Sequence, residues 1–165
     1  MKSAVALRSH ACRLADRIAT AAVLGLLALA LLTVADVTGR YLFATPIRGF
    51  NDIVPLAGAV LLSACMPHVV ARRANIAVEL VGQRLGAAAS RRLDGFGAVL
   101  CTAFFALMAW QYIRYAIELQ QTGDVMPILR WPVWPWWSAV ALFISIAAGV
   151  GLLTLGAGTP TEEAA

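Results

Sequence analysis

The sequence predicts an all-α integral membrane protein: four transmembrane helices plus an amphipathic helix lying in the cytoplasmic interface. Three observations lead there. First, 61% of the 165 residues are hydrophobic and only 13% are charged, against roughly 45–50% and 25% in soluble domains. A soluble fold of this size buries only about 70% of its chain's surface, too little to hide so much apolar area. Second, mean hydropathy is +0.77 with an isoelectric point near 9.4. Third, the charges are confined between long charge-free windows at residues 19–35, 53–71, 95–113 and 131–161. Each approaches the roughly 20 apolar residues needed to cross about 30 Å of hydrocarbon. Within lipid each must be a helix, because no solvent there can pair a free backbone group.

The first span is expected at about residues 18–40, with the turn at 36–40 carrying it into the interface. The basic residues and apolar stretch at the N-terminus resemble a signal peptide. The stretch is longer than an h-region, however, and no small-residue cleavage site follows, so it reads as a retained helix. The second span is expected at about 52–71, with His68 near its end. Residues 74–92 form a basic amphipathic helix. Asn75, Glu79, Gly82, Gln83, Gly86 and Ser90 fall on one side, and apolar residues cover most of the rest. Such a helix suits an interface near anionic lipid. A soluble helix packed on a partner is the alternative. The third span is expected at about 94–116. The fourth, at about 133–156, is preceded or opened by Pro127, Pro132 and Pro135, where proline is tolerated. Trp131, Trp134, Trp136 and Trp137 cluster there, as amphipathic rings do at an interface.

Loop charges orient this map. Nine of the 13 basic residues lie in the N-terminal tail and the middle loop, including Arg72, Arg73, Arg84, Arg91 and Arg92. The other four are Arg40, Arg48, Arg114 and Arg130. The tail and middle loop are therefore expected to be cytoplasmic, as is the C-terminus after an even number of spans.

Chemistry is sparse. The span centres carry no ionisable residue, and intramembrane charges are the default transport candidates. No broken helix pair suggests a midplane substrate site. Cys12, Cys65 and Cys101 form no C-x-x-C pair and read as small apolar residues. A bis-histidine haem would need two opposed histidines, and His68 is alone within a span. No catalytic residue, cofactor, metal or nucleic-acid partner is expected. Asp36 and Arg40 are four apart with the acid first, the favourable order for a helical pair. They read equally as an interfacial ion pair or as a contact with a partner protein. Small residues recur at Ala141, Ser145 and Gly149, at Ala147 and Gly151, and at Ala21 and Gly25. Such stripes let helix backbones approach closely in lipid, within the chain or against another subunit. The result is a compact four-helix membrane protein without a visible catalytic or transport site.

Residues 36–52 read D-V-T-G-R-Y-L-F-A-T-P-I-R-G-F-N-D. This resembles the small membrane subunit of TRAP (tripartite ATP-independent periplasmic) transporters, the DctQ-like family. The matching positions are Arg40, Tyr41, Phe43, Pro46, Gly49 and Asp52. After the second span, R-R-A-N-I-A-V-E matches at Arg72, Arg73, Ile76, Val78 and Glu79, with Asn75 where the family commonly has histidine. Before the fourth span, Gly123, Pro127, Pro132 and Trp134 fit a G-x-x-x-P…P-x-W pattern. In this register Asp52 or Asn51 can cap the second helix, with Pro55 in its first turn. The resemblance implies a scaffold subunit in the bacterial inner membrane. Its implied partners are a large permease subunit, a periplasmic substrate-binding protein and the bilayer, in Na⁺-coupled uptake of an organic acid. Asp36, Arg40, Pro46, Gly49, Asp52, Arg72, Arg73, Glu79, Trp134, Ala141, Ser145 and Gly149 are its candidate interface residues. The alternative is a self-contained homo-oligomeric carrier or channel.

Overall fold

The computed structural model describes residues 2–43, 49–71 and 87–156. Four helices account for nearly all of them: α1 (Lys2–Phe43), α2 (Phe50–Ala71), α3 (Ala87–Thr122) and α4 (Trp134–Gly156). Each contains a stretch long and apolar enough to cross a membrane: Asp16–Phe43, Phe50–Ala71, Gly95–Thr122 and Trp134–Leu153. α3 has 36 residues, about 54 Å at 1.5 Å per residue, so it is longer than the hydrocarbon is thick. Residues 87–92, expected in an interfacial helix, belong instead to α3, and the rest of that expected helix lies outside the described residues.

The helices do not close into a compact bundle. α1 packs on α2, α2 on α4, and α4 on α3, while α1 and α3 share no packed interface among the described residues. The spatial order is therefore α1-α2-α4-α3, an open row. Of its two inner members, α4 is rich in buried small residues, with Ala141, Ala147, Ala148 and Gly151 buried along its length. The outer members show large apolar side chains, such as Leu24, Leu27 and Leu31 on α1 and Phe96, Leu100 and Leu107 on α3. In water such faces would be a liability. Against acyl chains they cost nothing, which removes the hydrophobic drive that would otherwise close the row.

Close approach, rather than bulk, sets the helix contacts. A Cβ on Gly25 of α1 would fall 2.7 Å from Leu61 of α2, and one on Gly151 of α4 would fall 2.7 Å from the Thr102 hydroxyl of α3. The α2–α3–α4 core centres on Ala109, Val140 and Ile144, with Val60 and Met66 of α2 packed against them. Pro55 lies in the second turn of α2, not the first, because the helix begins at Phe50.

Candidate functional site

The features that distinguish this chain gather where the α1–α2 turn meets the α3–α4 turn. Gly49 enters α2 with φ 77°, a conformation that glycine adopts without a Cβ penalty. Its carbonyl accepts from Asp52 N at 3.1 Å and Ile53 N at 3.3 Å, opening the helix. Asp52 and Asn51, either of them expected to cap the helix, both lie inside it because it begins at Phe50, and the Asp52 carboxylate is engaged elsewhere. Asp52 Oδ2 accepts from Ile128 N at 2.8 Å and from Leu129 N at 3.2 Å, across 76 residues of sequence. Beside it, Leu129 occupies the space over Gly49, where a Cβ would sit 1.5 Å from Leu129 Cδ1. Carboxylate and notch together form a clasp that holds the α3–α4 turn on the start of α2.

The clasped turn is internally tied. Gly123, at φ 69°, terminates α3 and donates its N–H to Leu119 O at 3.1 Å, a left-handed helix cap. Val125 and Pro132 pair as an antiparallel bridge, and Val133 N donates to Asp124 O at 3.1 Å. Met126 N donates to Trp131 O at 2.8 Å and Arg130 N donates to Met126 O at 3.0 Å, with Met126 only 1% exposed. Arg130 sits at φ 58°, a region costly for a side-chain-bearing residue. Ile128, Arg130 and Trp131 are left exposed. Trp134 is partly exposed at the start of α4, and Trp137 stacks on Tyr112 and meets Tyr115 edge-on.

Two polar side-chain contacts lie apart from the clasp. Arg40 donates to Asp36 at 3.0 Å, with the Asp36 side chain 2% exposed and that of Arg40 50%. At the other end of α2, His68 Nδ1 lies 2.7 Å from Asp16 Oδ1 on α1. That nitrogen is shielded from solvent. Along α2 the two polar contacts, at Asp52 and His68, are about 24 Å apart.

The stripe Ala141, Ser145 and Gly149 divides. Ala141 and Ser145, with Ser138, line a lateral groove of about 320 Å³ against Ile113, Ala116 and Ile117 of α3. Gly149 faces open space, with nothing within 4 Å of an added Cβ. The groove offers little free polarity. Ser138 donates to Trp134 O at 2.9 Å and Ser145 to Ala141 O at 2.7 Å. Thr33, Thr38, Ser63 and Thr102 likewise return their hydroxyls to their own helices, the usual solution in lipid. Among the described residues, no three of His, Cys, Asp or Glu converge as a metal site. Pro46, Arg72, Arg73, Glu79 and Asn75 lie outside the described residues.

Sequence reasoning missed the partners of Asp52 and the pairing of His68 with Asp16. The spacing G-x-x-D at residues 49–52 was the available signal for the first. Nothing local to residue 128 or 129 marks either as a donor to that carboxylate.

The family model for "Tripartite ATP-independent periplasmic transporters, DctQ component" matches residues 29–157. The chain belongs to this family. It is thus a small membrane component of a TRAP transporter, and not an enzyme. The matched region contains the clasp, the core of α2, α3 and α4, and the C-terminal half of the α1 span. Neither a search of curated proteins nor one of solved structures returns a match.

Proposed function

We propose that this TRAP component is a scaffold: the small permease subunit that braces a large permease subunit during Na⁺-coupled uptake of an organic acid delivered by a periplasmic binding protein. The open row carries the reading. Four apolar helices side by side enclose no polar path, and the described serine and threonine hydroxyls within the spans are spent on their own helices. Such a slab has wide apolar flanks for a neighbour and no midplane site of its own. The α3–α4 groove and the open edge at Gly149 are the flank we assign to the large subunit. Charge asymmetry between the loops supports cytoplasmic termini and a periplasmic clasp. The clasped turn, with Ile128, Arg130 and Trp131 exposed, is then the surface that meets the binding protein.

Reconstitution tests the proposal. Proteoliposomes holding this chain alone should take up no organic acid even with the binding protein added. Proteoliposomes holding both permease subunits should do so in a Na⁺ gradient. Saturable uptake by this chain alone would instead favour a homo-oligomeric carrier.

A further inference from the structure

α2 and α4 meet through apolar side chains, and in lipid such a contact has little hydrophobic drive to fix how far one helix slides along the other. Both helices are apolar along most of their length. A slide of one turn, about 5.4 Å, would still set apolar side chains against apolar side chains. A directional contact is needed to choose among such registers. The clasp is the directional contact between α2 and the α3–α4 hairpin among the described residues.

We propose that Asp52 is a positioning residue: it sets the axial register of the α3–α4 hairpin against α2, with Gly49 as the notch that receives Leu129. Its acceptor reads main-chain donors, Ile128 N at 2.8 Å and Leu129 N at 3.2 Å. A one-turn slide would carry both donors beyond hydrogen-bonding reach and lift Leu129 off Gly49. The turn is stiff enough to pass this constraint to α4, because Met126 is buried, Val125 pairs with Pro132 and Arg130 is held at φ 58°. At its far end α2 is keyed to a different neighbour, His68 meeting Asp16 of α1. α2 is thus the rail on which α1 and the hairpin are each fixed, at opposite ends. Buried or partly buried polar contacts that select register at some expense of stability are known in helical assemblies. This assignment concerns the chain itself and does not rest on the identity of its partners.

The test is a disulfide scan of the full-length chain in membranes, with Cys12, Cys65 and Cys101 first replaced by alanine. A cysteine at Val60 is paired in turn with cysteines at Val140, Ile144, Ala147 and Ala148, and linked peptides are quantified after oxidation and digestion. With Asp52 and Gly49 present, one pair should dominate. Asp52→Ala should cut the ratio of that pair to its neighbour one turn away by at least threefold, and Asp52→Asn, which keeps one acceptor oxygen, should do so by less. Gly49→Leu, which leaves the carboxylate but fills the notch, should shift the profile on its own. If Asp52→Ala does not accumulate, Asp52→Asn and Gly49→Leu decide the matter. Profiles that superimpose on the parent in every accumulating variant would overturn the proposal, as would a uniform loss of linked product with the dominant pair unchanged.

Discussion

Asp52 accepts two backbone N–H groups where two turns meet. Bonds to a charged acceptor contribute about 1.5–3 kcal/mol each, and the site is only partly shielded, so the lower end applies. Asp52→Ala should cost about 3 kcal/mol in total. The checks are a lowered melting temperature in detergent and faster tryptic cleavage after Arg130. The glycines make a second, graded prediction. Gly49→Ala meets both a positive φ and a 1.5 Å collision with Leu129, whereas Gly123→Ala meets only the positive φ. A left-handed conformation costs a side-chain-bearing residue about 1–2 kcal/mol. Melting temperature should therefore fall most for Gly49→Ala, less for Gly123→Ala and not at all for Gly149→Ala, which faces open space within a helix. Arg130→Gly should do the opposite and raise it slightly, since Arg130 already adopts a glycine-like backbone at φ 58° and its relief is worth about 1 kcal/mol.

At the scale of the helix, two glycines two residues apart have different duties. Gly151 lies against Thr102, where an added Cβ would come within 2.7 Å of the hydroxyl, and Gly149 faces nothing within 4 Å. Gly151→Leu should therefore lower the melting temperature of the isolated chain by forcing α3 and α4 apart. Gly149→Leu should leave melting near the parent and, if the open edge receives the large subunit, reduce co-purification of that subunit. The paired measurements are a detergent melt and a tagged pull-down for each variant. Equal melting for the two would mean that α4 packs on α3 through another face. The sequence marked both glycines as members of small-residue stripes, and it placed the weight on Gly149. Helix periodicity does not separate the two duties, because a helix that is apolar all round carries no signal for which face meets protein and which meets lipid.

The molecule is a row because, among the described residues, α1 packs on α2 and shares no packed interface with α3. Its contacts with α2 include the Gly25–Leu61 approach, Leu29 against Gly58, and the Asp16–His68 pair. Removing the pair with Asp16→Asn should weaken attachment of α1 without disturbing the α2–α3–α4 core, so hydrogen exchange should rise in α1 before it rises in α4. Global unfolding of all four helices at once would contradict this. The predicted orientation is checked by labelling. Cysteines near Arg48 and Gly123 should react from the periplasm, and those near Gly86 and Thr161 should not.

Four apolar helices, the concentration of basic residues in the N-terminal tail and the segment after the second span, and the lack of any ionisable group at the span centres follow from the sequence by itself. Each is a matter of composition along the chain, and the transfer of a segment into lipid depends on little else. Gly49 and Gly123 stood out in the sequence only as positions of the family pattern, and their positive φ at the two turns is a finding of the structure. Tertiary structure alone decided the order α1-α2-α4-α3, the separate duties of Gly149 and Gly151, and the engagement of Asp52 with Ile128 and Leu129. Those depend on which apolar face meets which. In a solvent as apolar as the side chains themselves, hydrophobicity does not rank the choices. The arrangement is settled by a few close approaches and by a carboxylate whose partners lie 76 and 77 residues away.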